Sequence, residues 1–207
     1  MGRNPARLRL TLLGVGAMAS PRYAPAGLLV ELGPWRVMVD GGAASSPQGR
    51  LDDWLVCDER AELMSEIRRL ARPLGLDPRV RPFHCQGLIV DPRQVVHTSH
   101  AAFGYLIEAG TCRAAWAPEF WRFPDWAIGV DLLFAEAAGW TRPIRFAKGV
   151  GGHAAALDVS REARARGVRR LVLAHIGRPT IQALKKDEEL PFGEAGQDGA
   201  VYELDCS

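Results

Sequence analysis

Short apolar runs, each closed by glycine or proline, constrain this chain more than any other feature of its sequence. Leu8 to Leu13 ends on Gly14 and Gly16, and Gly27 to Leu32 is parted from Trp35 to Val39 by the turn Gly33-Pro34. Runs of about six residues suit strands and are too short for stable isolated helices. The chain is therefore expected to open with three strands, the last two forming a hairpin. Asp40-Gly41-Gly42 closes that hairpin, and Ala43 to Arg50, rich in Ser, Gly and Ala, reads as loop and as the rim of a site. The same punctuation predicts strands at Val80 to Cys85, Gly87 to Val90, Gln94 to His97, Gly104 to Ala109, Arg113 to Ala117 and Asp131 to Ala135.

Helical spacing enters at two places. Ala61, Met64, Ile67, Leu70 and Ala71 recur with Glu and Arg between them, which predicts a helix over Asp58 to Leu74 that stops by Gly75. A second helix fits Leu157 to Arg166, with Asp158 or Ser160 as cap and Gly167 as terminator, followed by a strand at Arg170 to Ala174. The tail from Lys185 to Gly199 is polar, and Ala200 to Leu204 adds an edge strand. At 207 residues, with 47% hydrophobic and 24% charged, an α/β fold in one domain is expected.

Several classes are excluded by the same reading. Every apolar run, Ala17 to Leu32 included, is broken by Arg, Pro, Gly or Glu before membrane-spanning length, and no signal peptide is visible. No membrane association and a cytoplasmic location are the expectations. Cys57, Cys85, Cys112 and Cys206 lack C-x-x-C spacing, so neither a zinc ribbon nor a disulfide framework is indicated and reduced, partly buried thiols are expected. A net charge of +2 does not indicate nucleic acid, although arginines gather at Arg68-Arg69, Arg161 to Arg170 and in the first ten residues.

The chemistry-bearing residues cluster late in the chain. The buried run Leu171-Val172-Leu173-Ala174 ends on His175, and a histidine at a strand terminus is well placed to ligate a metal. His153 follows the glycine-rich stretch Gly149-Val150-Gly151-Gly152, where backbone amides and an imidazole could hold an anion. His97 and His100 form an H-x-x-H, and Glu119 and Glu136 flank an apolar-aromatic segment; carboxylates near histidines suit metal ligation or proton transfer. Trp116, Phe120, Trp121, Phe123 and Trp126 make the densest aromatic cluster, better read as core or interface packing than as base stacking and compatible with an oligomer.

In order, these pieces resemble the metallo-β-lactamase superfamily, particularly its ribonuclease Z-like and small phosphodiesterase branches, from Leu10 to Pro179. Leu10-Thr11-Leu12-Leu13-Gly14-Val15-Gly16 looks like the family's opening strand and turn, and Val37-Met38-Val39-Asp40-Gly41-Gly42 like its Asp-Gly motif. Phe103-Gly104-Tyr105-Leu106-Ile107 resembles the strand after the third metal motif, which favours His97 as ligand, with His100 as the alternative. Glu119 falls where the family has a metal-bridging Asp. Phe134-Ala135-Glu136-Ala137 resembles the ribonuclease Z motif His-Glu-Ala-Thr, His153 its partner histidine, and His175 the last metal ligand. The resemblance implies a four-layer αββα sandwich.

The family's H-x-H-x-D-H is replaced by Asp58-Glu59-Arg60-Ala61-Glu62-Leu63, with Asp58 and Arg60 for the first two histidines, Glu62 for the Asp and Leu63 for the last histidine. A dinuclear zinc centre is not expected. The first outcome is a single divalent ion (Mn, Fe, Mg or Zn) held by some of Asp58, Glu62, His97, Glu119 and His175, with Arg60 as the second positive charge. The protein would then be a hydrolase of a phosphodiester or other small anionic substrate, with metal-activated water, His153 oriented by Glu136 as acid, and the glycine loop presenting amides to substrate. The second is a pseudoenzyme or ligand-binding module without metal, in which Arg60 pairs with Asp58, Glu62 or Glu119.

Overall fold

Alternating burial within single strands explains why two sheets stack here. The computed structural model describes residues 6–207, so Arg3 of the N-terminal arginine group lies outside the described residues. In chain order the strands are β1 (Ala6–Gly14), β2 (Gly27–Leu32), β3 (Trp35–Asp40), β4 (Asp53–Leu55), β5 (Phe83–Cys85), β6 (Leu88–Val95), β7 (Ala102–Ala109), β8 (Cys112–Ala117), β9 (Leu132–Ala137), β10 (Ile144–Arg145), β11 (Gly152–His153), β12 (Leu171–Ile176), β13 (Glu194–Ala195) and β14 (Val201–Cys206). The helices are α1 (Met64–Ala71), α2 (Ala156–Ala165) and α3 (Arg178–Leu184).

The first sheet has the order β14-β1-β2-β3-β4, and the second β13-β12-β9-β8-β7-β6-β5. The second sheet is antiparallel from β5 to β8 and parallel through β8, β9, β12 and β13. Because successive side chains point to opposite faces, Val37 and Val39 of β3 enter the core between the sheets while Met38 faces outward. There it meets Leu29, Trp54, Met64, Ile67 and Ala71, so α1 covers the outer face of the first sheet. On the second sheet α2 packs against β9 and β12 through Ala156, Val159 and Ala163. The layers run helix, sheet, sheet, helix.

Three differences from the expected elements have physical causes. Two expected strands, Gly87 to Val90 and Gln94 to His97, are one strand, β6, which carries Pro92 opposite Tyr105. The first helix begins only at Met64, because the Asp58 carboxylate accepts the Arg60 N–H (2.8 Å) and holds the preceding residues in a turn. Helix α3 was not expected; its signal was Pro179, whose fixed φ and missing N–H suit a first helical turn.

A fourth difference is covalent. Cys112 and Cys206 form a disulfide with Cα atoms 5.3 Å apart, which corrects the expectation that all four cysteines are reduced; Cys57 and Cys85 are free thiols. The ends of β8 and β14 meet across the two sheets, a juxtaposition that 94 residues of separation hid.

The candidate active site

Strand ends from the second sheet converge on one carboxylate. Glu136, near the end of β9, is fully buried, and each of its oxygens takes two donors. Oε2 accepts the Phe120 N–H (3.2 Å) and His153 Nδ1 (2.7 Å); Oε1 accepts the Ala138 N–H (2.8 Å) and His175 Nδ1 (3.3 Å). An ionised carboxylate has no proton to give, so both ring nitrogens are N–H donors and the two imidazoles have fixed orientation. The rings of His153 and His175 stack with centroids 5.2 Å apart.

His175 reaches this position through a bulge. Leu173 pairs with Ala135 and Ile176 with Ala137, so β12 carries one extra residue over that span. His175 itself has φ 57°, a left-handed conformation that costs a non-glycine residue roughly 1–3 kcal/mol.

Glu119, just past the end of β8, bridges two histidines. Its Oε2 lies 2.7 Å from His97 Nε2 and its Oε1 3.0 Å from His175 Nε2. The other nitrogen of His97 donates to the Gly152 carbonyl (2.9 Å). Both nitrogens of His97 and of His175 are therefore engaged. Burial pulls the His175 imidazolium down, but Glu119 and Glu136 outweigh it and raise its pKa to about 10. His97 is also raised, burial being overcome mainly by Glu119. Burial pushes Glu119 up, yet the charge and hydrogen bonds of His175 and His97 hold it well below the usual carboxylate range; Glu136 is held low in the same way by His153 and His175. Two imidazolium ions thus offset two carboxylates.

These groups open onto a cavity of about 530 Å³ lined by Asp40, Asp58, Arg60, Glu62, His97, His100, Glu119, His153 and His175 among others. The expected residues Glu119, His97, His175, Glu136 and His153 are brought together as a contact network. Asp58 and Glu62 line the same cavity without joining it: Asp58 Oδ2 takes His100 Nε2 (2.7 Å). Arg60 makes no side-chain ion pair among the described residues, so the pairing of Arg60 with Asp58, Glu62 or Glu119 is not found. Asp40 supports the wall from behind, accepting the Cys57 N–H and Trp116 Nε1 at 2.7 Å each.

The glycine loop works differently from the expectation of open amides. A Cβ on Gly151 would stand 2.0 Å from the His97 carbonyl oxygen, and one on Gly152 2.0 Å from that of Ile144. The Gly152 N–H donates to the His97 carbonyl (2.9 Å). Glycine here permits close backbone packing that seats His97. Of the aromatic cluster, Trp116 and Phe120 are core, while Trp121, Phe123 and Trp126 line a separate groove of about 780 Å³ that holds none of the histidines.

Whether the network suits a metal ion depends on its donors. Glu136, His153 and His175 each present a ligand atom within 4.8 Å of one another, a group that could hold an ion. The Nδ1 side of that group is already filled by hydrogen bonds to Glu136. On the Nε2 side, Glu119 sits between His97 and His175 where two protons are shared. One divalent ion replacing those two protons would leave the charge unchanged, although among the described residues only Glu136, His153 and His175 stand close enough together to share an ion as the side chains lie. Asp58, Arg60, Glu62 and Leu63 bring no histidine to the cavity, and the Asp58 carboxylate is taken by His100 Nε2 (2.7 Å).

No family model matches the chain, and no curated protein matches it. Solved structures do. The metallo-β-lactamase fold protein YhfI from Bacillus subtilis aligns with TM-score 0.76 at 18% identity, over 96% of this chain and 100% of that one. A diphosphatase of the PhnP family aligns at 0.69 and 16%, over 96% and 97%. Human tRNase Z, short form, aligns at 0.59 and 12%, over 94% and 98%. Among the described residues no helix is long and apolar enough to cross a membrane.

Proposed function

This chain has the metallo-β-lactamase fold, and on that premise we propose that it is a hydrolase of a small anionic substrate, a phosphodiester in the first place. The observation that carries the reading is Glu136 gripping Nδ1 of both His153 and His175. A carboxylate behind a histidine fixes its tautomer and aims Nε2 outward, the arrangement common to metal-ligating and proton-transferring imidazoles. His97, Glu119 and His175 would hold one divalent ion, which supplies an electrophile and acidified water. His153, with no protein partner on Nε2 among the described residues, gives a proton to the leaving oxygen, and Arg60 holds the substrate's charge. Similarity to a diphosphatase and a tRNase Z agrees with a phosphoryl substrate.

A second reading, a ligand-binding module without metal, is favoured by Glu119 itself, which closes directly on His97 and His175. Metal analysis separates the two. Protein purified without chelator is expected to carry close to one equivalent of a divalent ion, and His175→Ala to lose it. Less than about a tenth of an equivalent in the wild type, after incubation with Zn²⁺ or Mn²⁺, sinks the metallohydrolase.

A further inference from the structure

The cavity contains four histidines, and their nitrogens are not equally engaged. His97 and His175 have both nitrogens taken by protein groups. His153 has one, bound to Glu136, and His100 has one, bound to Asp58. Neither His153 Nε2 nor His100 Nδ1 has a protein partner among the described residues. Neither is a buried unsatisfied atom, a condition met among the described residues only by Ser45 Oγ, so both have some access to open space. Only these two rings can exchange a proton with a bound molecule without breaking a protein contact.

The Asp58–His100 pair is built like the Glu136–His153 pair but from different parts of the fold. Asp58 follows β4 of the first sheet, and His100 lies between β6 and β7 of the second. Both Asp58 oxygens are engaged, Oδ1 by the Arg60 N–H (2.8 Å) and Oδ2 by His100 Nε2 (2.7 Å), so the carboxylate is fixed. Thr98 Oγ1 donates to the His100 carbonyl (2.9 Å) and holds the loop. The stretch in which the resemblance expects metal-binding histidines has thus become one half of a carboxylate–imidazole pair facing the same cavity as His153.

We infer that His100, positioned by Asp58, is a second proton-transfer group of this site and takes the proton from the attacking water while His153 supplies the one that leaves. This rests on the hydrolase reading above. As the water oxygen bonds to phosphorus, its proton passes to His100 Nδ1. As the phosphorus–oxygen bond to the leaving group breaks, that oxygen takes the proton from His153 Nε2. One proton has moved from His153 to His100, and exchange with solvent, which reaches both nitrogens, restores the starting state.

The test is hydrolysis of bis(p-nitrophenyl) phosphate by protein supplied with Zn²⁺ or Mn²⁺. His100→Ala is expected to lower kcat by roughly 100-fold or more, with KM little changed and metal content equal to wild type. Added imidazole should restore at least about tenfold of that loss. Asp58→Asn should lower kcat less, and His84→Ala, on an exposed histidine paired with Asp91, should change nothing. Three results overturn the inference while leaving the hydrolase reading intact: undiminished kcat in His100→Ala, a loss that imidazole does not rescue, or loss of the metal in that variant. A wild type that turns over no phosphodiester overturns both. If His100→Ala does not fold, Asp58→Asn decides, and unaltered kcat there refutes the positioning role.

Discussion

At the scale of single residues, the site is a balance of protons. His97 and His175 each turn both ring nitrogens toward protein acceptors, so an ion held by them as proposed would displace two protons. Calorimetric titration of chelator-treated protein with Zn²⁺ at neutral pH, repeated in buffers of different ionisation enthalpy, is expected to show release of about two protons per ion. Release of none would place the ion elsewhere. The same groups set the stability of the metal-free protein. The folded pKa of His175, about 10, lies above its ordinary 6.5, so its contribution is full below about 6.5 and is lost as pH rises through about 10. Glu119 and Glu136 are held below their ordinary 4.5, so theirs is present above that value and lost as pH falls. The urea midpoint of chelator-treated protein should therefore peak between about 4.5 and 6.5 and decline toward 10, and replacing His175 with Gln should flatten the alkaline limb. An unchanged limb in that variant contradicts the assignment. His100 shows what a residue-level reading misses. An H-x-x-H alone carries little information, and its partner Asp58 lies 42 positions away in another sheet's connection.

At the scale of elements, the sequence was most legible where one face decides. The hairpin β2–β3 and helix α2 lie within a few residues of their expected places, because period-2 and period-3.6 burial are written locally. Legibility failed where a distant group reshapes the chain. Asp58 to Leu63 has helical composition but is held in a turn by a side chain whose other oxygen serves His100. The bulge that turns His175 toward Glu119 has no local signature either, since it is defined by pairing with β9. The Cys112–Cys206 bond is the clearest case of such a long-range feature. Closing a loop of 94 residues stabilises a fold by about 2–5 kcal/mol. Urea unfolding with and without dithiothreitol should differ by that amount, and Cys112→Ser should reproduce the reduced curve. Identical curves would mean that the thiols are not bonded in solution.

At the scale of the whole molecule, His153 and His175, late in the chain, and the Asp58–Leu63 stretch line one cavity. The sequence separated them by half the chain, and the fold unites them. The disulfide joins Cys112 of the second sheet to Cys206 of the first. It also has a mechanical meaning. Cys112 starts β8 and Glu119 follows its other end, a strand of six residues or roughly 20 Å away. Likewise β1 pairs with Cys206 at Ala6, and the chain just past its other end reaches the cavity at Gly16. The two sheets are riveted at one end and carry the site at the other, like the jaws of a pair of tongs. Any spreading of the sheets pivots on that bond and is widest at the mouth, where Asp58 and His100 span the gap. Cutting the rivet should let the jaws slide as well as open, so amide exchange in 58–63 and 98–100 should quicken on reduction more than in the β9–β12 core.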